Sequence, residues 1–205
     1  MKKYFATLTA SVLISMAPYA LAASSTDLTV TGTITPSACT PSLSSGAVVD
    51  FGKISAKDLQ PTAPTLIGEP TTQLSVSCDA PTTFALHAID NRPNTTVSGY
   101  FGVGLTPAGE KLGHYIPTIS NVLADGQVAT PIISPDQGAT WSPLDRIRAD
   151  HYLSVSSPAD TSAPITAKDL TMDLAIRTWI LPANGLTLTG EVPIDGSATF
   201  EMKYL

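Results

Sequence analysis

Residues 172–178 read MDLAIRT, and within them Met172, Leu174, Ile176 and Thr178 share one parity, with Asp173, Ala175 and Arg177 on the other. Successive side chains of an extended chain point to opposite faces, so this pattern predicts a strand with one buried face. The same period recurs in QLSVSC, where Leu74, Val76 and Cys78 alternate, and in LTVTGTIT, where Leu28, Val30 and Ile34 do. At the other end of the sequence Ala198, Phe200, Met202 and Tyr204 share a face, with Thr199, Glu201 and Lys203 opposite. Termini fray unless tied down, so that apolar face must dock somewhere.

Turn residues punctuate these segments at Pro36-Ser37, Ser44-Ser45-Gly46, Asp79-Ala80-Pro81, Asn91-Arg92-Pro93, Pro107-Ala108-Gly109, Ala124-Asp125-Gly126, Asp136-Gln137-Gly138, Asn184-Gly185 and Asp195-Gly196. Short alternating strands with frequent turns predict an all-β antiparallel sandwich or barrel. Helical spacing is sparse. Residues 135–150 carry enough of it for one short helix or turn, and Thr166 to Leu170 for another. The segment PADTSAP, residues 158–164, reads as a surface loop.

The 205 residues, 43% hydrophobic and 14% charged, fit one globular domain and argue against disorder. Eleven Lys and Arg stand against 17 Asp and Glu, and no stretch clusters the cations with aromatics, so nucleic acid is not an expected partner. The first residues carry a positive start at Lys2 and Lys3, an apolar run from Tyr4 to Met16, and small residues at Ala20 and Ala22. That is the pattern of a cleaved secretion signal over 1–22, leaving a single domain over 23–205. Cleavage would take the net charge from -6 to -8. Both cysteines, Cys39 and Cys78, remain, and an even count in an exported chain predicts one disulfide. Closing that loop would stabilise the fold by roughly 4 kcal/mol if chain entropy dominates.

No catalytic or metal constellation is legible. His87, His114 and His151 are scattered, and HExxH, GxSxG and CxxC are all missing. Residues 99–104, GYFGVG, have a dinucleotide-like spacing without the helix that such a site requires, and read instead as a closely packed strand. Asp145 and Asp150 are acids with nothing to bring them into one cleft. The expectation is therefore a protein that is not an enzyme and needs no cofactor or metal. Trp141, Tyr152 and Trp179 could supply a sugar-stacking surface, or simply be used by a sandwich core.

Several of these pieces occur together in a recognisable order: Val30-x-Gly32-x-Ile34 followed by Ala38-Cys39, then Leu74-x-Val76-x-Cys78, and the ending Ala198-Thr199-Phe200-x-x-x-Tyr204. In this combination the chain resembles the subunits of chaperone-usher fimbriae. Within that superfamily the stretch LTVTGTITPSACTPSLSSGAVVDFGKI is most similar to the uncharacterised β-fimbriae-type, DUF1120-like proteins of Gram-negative bacteria. The resemblance implies an immunoglobulin-like sandwich that lacks its last strand and so exposes a core-lined groove. In such families a periplasmic chaperone lends a strand, and the N-terminal extension of the next fimbrial subunit replaces it at an outer-membrane usher.

Carried onto this chain, the resemblance makes Cys39 and Cys78 the bridge from the first strand to the following one. It makes Ala198, Phe200, Met202 and Tyr204 the chaperone-binding strand, with the Leu205 carboxylate available to a cationic anchor. Leu28, Val30, Gly32 and Ile34 become a first strand or a donor strand. If they form the first strand, only Ala23 to Asp27 is left as an extension, which reaches roughly 17 Å and has no large apolar side chain. The implied function is a fimbrial structural subunit, passing through the periplasm to the cell surface, with a host or surface glycan as a further ligand. The alternative is a self-contained carbohydrate-binding sandwich that does not polymerise.

Overall fold

The computed structural model describes residues 28–32, 38–96 and 99–205. The expected secretion signal, and with it Ile34 and Pro36-Ser37, lies outside the described residues. The chain divides into two units, 1–34 and 35–205, and every described strand belongs to the second. In chain order the strands are β1 (Cys39–Leu43), β2 (Thr65–Gly68), β3 (Thr71–Thr82), β4 (Phe84–Asp90), β5 (Phe101–Gly102) and β6 (Gly113–Ala124). They continue with β7 (Gln127–Val128), β8 (Thr130–Ser134), β9 (Ser142–Pro143), β10 (Tyr152–Ser156), β11 (Ala167–Ile180) and β12 (Ala198–Tyr204).

These strands build two antiparallel sheets packed as a sandwich. One runs β1-β3-β11-β6-β5, with β2 added on β11 and β7 on β6, and the other runs β12-β4-β10-β8-β9. The alternating stretches are its framework: Leu74, Val76 and Cys78 are buried on β3, and Met172, Leu174 and Thr178 on β11. Facing them from the second sheet are Phe84, Leu86 and Ala88 of β4 and Leu153 and Val155 of β10. Each such apolar side chain taken fully out of water contributes about 1.5–3 kcal/mol. A smaller cluster of Val103, Leu112 and Ile180 fills one end, with Leu59, Val192 and Ile194 packed against it.

Cys39 and Cys78 are disulfide-bonded and directly opposite each other in the β1–β3 register. The Ala124-Asp125-Gly126 signal is the β6–β7 turn, where Asp125 and Gly126 both have positive φ, as a two-residue hairpin turn requires.

Three expectations are corrected. Leu28 and Val30 lie outside the described strands and are 88% and 85% exposed, so they do not form the strand with a buried face that their alternation predicts. Thr166 to Leu170 is not a helix: Ala167 to Leu170 begins β11, whose ladder with β3 overrides weak helical spacing. Residues 135–150, read as a short helix or turn, hold turns and the short β9. Finally, Asp79-Ala80-Pro81 does not end its strand. The ladder slips from Ala167 opposite Thr82 to Asp169 opposite Ser77, so the turn-prone residues form a bulge within β3.

Candidate functional site

Strand β12 closes the second sheet on one side only. Its register with β4 runs from Ala198 opposite Asp90 to Tyr204 opposite Phe84, and among the described residues no strand pairs with its other edge. As its alternation predicts, Ala198, Phe200 and Met202 pack against the core, but all three are only partly buried.

Polar contacts pin both ends of β12. Ahead of it, the Arg92 guanidinium donates to the Asp195 carboxylate through Nε and Nη2, each at 3.0 Å. Asn91 Nδ2 donates to Ser197 Oγ at 3.0 Å and to Thr199 Oγ1 at 3.1 Å. At the far end the Cys39 N–H donates to Tyr204 Oη at 2.9 Å, so the disulfide-bonded strand holds the last turn of the ladder. On the outward face Glu201 lies 2.9 Å from Lys203 Nζ and 3.7 Å from His87 Nδ1. The Lys203 hydrogen bond and charge, more than the histidine, hold the Glu201 carboxyl below its ordinary range.

Beside the free edge lies a groove of about 520 Å³. Tyr115, Pro117, Leu174, Ile176 and Thr178 of β6 and β11 form its floor. Ala198 and Phe200 line one wall, and Val48, Val49 and Phe51, from the irregular segment after β1, line the other. The groove adjoins a second of about 860 Å³, which shares Val49, Phe51 and Ile194 with it and reaches Ile54, Leu112 and Ile180. Val48 is 76% exposed, an apolar side chain standing at the rim.

The floor is built to stay neutral. Tyr115 stacks on Phe101 with centroids 5.1 Å apart, and burial, then the nearby Asp90 charge, push its hydroxyl above the ordinary tyrosine range. Asp90 is itself buried and satisfied, accepting the Arg92 N–H at 2.8 Å and the Gly102 N–H at 3.0 Å. A Cβ at Gly102 would run into Thr95 Oγ1 and the Arg92 carbonyl, so the close packing that the spacing of residues 99–104 suggested is present, but only Phe101–Gly102 of them forms a strand, β5.

Other candidates fall apart in space. Trp179 lies on the seven-stranded sheet; Tyr152 stands beside His87 on the five-stranded sheet; Trp141 sits in the β8–β9 loop and donates to the Gly138 carbonyl. The three rings therefore do not come together as one sugar-stacking surface. His114 belongs to β6, and the His151 ring contacts the Ala149 carbonyl, so the histidines share no centre. The far wall of the groove, Val48 to Ile54, was the part that sequence reasoning passed over, although Val49 and Phe51 alternate around Asp50.

The fold and groove define an antiparallel sandwich with one edge strand left open beside its own core. Residues 28–100 match the family described as "Protein of unknown function (DUF1120)". Protein GltF of Escherichia coli (strain K12) is 31% identical over 185 residues, covering 77% of this chain and 70% of GltF. Uncharacterized protein YhcF of the same strain is 25% identical over 224 residues, covering 91% of this chain and 93% of YhcF. The chain belongs to the DUF1120 family.

Proposed function

We propose that the protein is a structural subunit of a surface fibre, a sandwich completed by a strand from another chain laid along the free edge of β12. The observation that carries this reading is the groove itself. An edge strand with core-facing Phe200 and Met202 stands next to a floor of Leu174 and Ile176, and the opposite wall is irregular chain rather than strand. An unpaired apolar edge is an aggregation hazard unless another chain adds a strand to it. A periplasmic chaperone covers the edge first, and another fimbrial subunit takes over at the outer-membrane usher. The disulfide and the expected secretion signal suit that route.

The exposed Leu28 and Val30 support the complementary half of the reading. Leu28 to Gly32 lies outside the described strands, and the sequence LTVTGTIT offers one alternating apolar face of the kind an open groove accepts. The segment then serves as a donor rather than as the first strand of its own sandwich. The test is urea unfolding of the oxidised protein alone and with a synthetic peptide copying Asp27 to Pro36. Marked stabilisation by the peptide is the expected result. Cooperative unfolding at high urea that ignores the peptide would replace exchange between copies with a self-complete binding protein or with a strand from a different subunit.

A further inference from the structure

On the outer face of the seven-stranded sheet, away from the groove walls, five side chains form a continuous stack. Tyr100 and His114 lie 4.8 Å apart with planes 16° from parallel, and His114 and Trp179 lie 5.5 Å apart at 20°. Guanidinium groups flank both ends, Arg148 at 5.4 Å from the Tyr100 ring and Arg177 at 5.2 Å from the Trp179 ring. Cation–π contacts of this kind hold each arginine in place. Together with Arg146, which bridges β6 at Thr118, the sheet gathers three of the four arginines of an acidic chain.

Gly99 makes one end possible. It has φ +80°, and a Cβ there would meet Arg148 Nη2 at 2.6 Å, so the guanidinium rests on bare backbone. The ring faces are used against one another, which leaves the ring edges and their polar atoms to a ligand. Among the described residues, no hydrogen-bond partner holds Tyr100 Oη, the His114 ring nitrogens, Trp179 Nε1 or the Arg148 guanidinium. Arg177 Nε approaches Glu69 at 3.2 Å but makes no aligned hydrogen bond. All five side chains are partly exposed. The row itself is thus rich in donors; Glu69 already pairs with Arg177 and Asp145 with Arg146, which leaves Arg148, among the described residues, as the guanidinium here without an acidic partner.

We propose that this row binds a carboxylated oligosaccharide, with Arg148 or Arg177 taking the carboxylate and the aromatic edges donating to sugar oxygens. A guanidinium fork matches a carboxylate through two parallel N–H bonds, and Tyr, His and Trp edges suit hydroxyl and ring oxygens. The net charge of -6 argues for isolated carboxylates on an otherwise neutral chain rather than a dense polyanion, which the whole molecule would repel. Burial lowers His114, so it meets the ligand as a neutral ring. This proposal stands independently of strand acceptance.

The test is calorimetric titration of the oxidised protein with 3′-sialyllactose and, separately, an aldotetraouronic acid that carries one uronate on a neutral xylotriose, with lactose as the neutral control. The two acidic probes distinguish a sialylated from a uronic ligand. Binding of at least one, about tenfold tighter than lactose and weakened about tenfold by Arg148→Gln or Arg177→Gln, is the expected result. Gly99→Ala should weaken it through displacement of Arg148. If that variant folds poorly, the two exposed arginine variants, checked for unchanged urea unfolding, still decide the matter. Equal binding of lactose, failure of both acidic probes to bind, or acidic binding indifferent to both arginine variants would overturn the proposal.

Discussion

Strands β11 and β12 carry the same alternating pattern and meet different fates. β11 is paired on both sides, to β3 and β6, and its Met172 and Leu174 are 0% and 1% exposed. Among the described residues β12 is paired only to β4, and its Phe200 and Met202 remain partly exposed next to a groove. A two-residue period decides which face turns inward; whether that face is covered depends on what chain lies alongside. That difference is what the proposed function rests on: the interior strand holds the sandwich together, while the edge strand is the one to which the proposal adds another chain.

The largest break in that comparison should come from removing β12 altogether. Deletion of Ala198 to Leu205 takes away the second-sheet edge and exposes β4, and the expected outcome is loss of chaperone capture and degradation in the periplasm. Normal accumulation and capture, read by co-purification, would contradict the role given to the last strand. Replacing both cysteines by alanine comes next, with an expected loss of about 4 kcal/mol by urea unfolding. The consequence should be uneven. Cys39 donates to Tyr204 Oη, so amides of β12 should lose hydrogen-exchange protection before those of β11 do.

Truncations within the two strands sharpen the contrast further. Met172→Ala removes a fully buried side chain from a strand paired on both sides and should cost about 3 kcal/mol. Phe200→Ala starts from a partly exposed ring, so about 1–2 kcal/mol is expected in the protein alone. With the Asp27 to Pro36 peptide bound, the Phe200→Ala loss should grow while the Met172→Ala loss stays the same. Equal losses with and without peptide would mean that the groove is not where the peptide sits.

The sandwich was legible because Leu74, Val76 and Cys78, and again Met172, Leu174 and Thr178, alternate in long runs flanked by turn residues. Leu28 and Val30 show the same period without forming a strand, since a pattern cannot create the neighbour that a strand needs. The bulge at Asp79-Ala80-Pro81 was hidden for a related reason: turn-prone residues bend the chain, and only the partner strand decides whether the bend ends the ladder. The groove was half legible. Its β12 wall stood out in the final alternation, but the Val48 to Phe51 wall is irregular chain that acquires meaning only beside Phe200. The arginine–aromatic row was invisible in sequence because Tyr100, His114, Arg148 and Trp179 come from four separate segments and meet only across strands.

The smallest expected effect is acid sensitivity, and it too separates the outer face of β12 from the interior strand. Glu201 is held low by Lys203 and His87, and Asp136, in the loop after β8, is held down at about 2 by Ser134 and Thr140. A carboxylate whose folded pKa is depressed contributes stability that is fully present above its unfolded value and lost as pH falls through the folded one. For Asp136 the window runs from 3.8 down to about 2, and for Glu201 it opens below 4.5. The urea midpoint should therefore hold steady near neutrality and decline as pH falls through that range. Glu201→Gln should remove part of the decline and Asp136→Asn another part, whereas Met172→Ala should shift the whole curve downward without changing its shape. A Glu201→Gln profile parallel to that of the unaltered protein would mean that neither the Glu201–Lys203 contact within β12 nor the Glu201–His87 contact across to β4 contributes to stability.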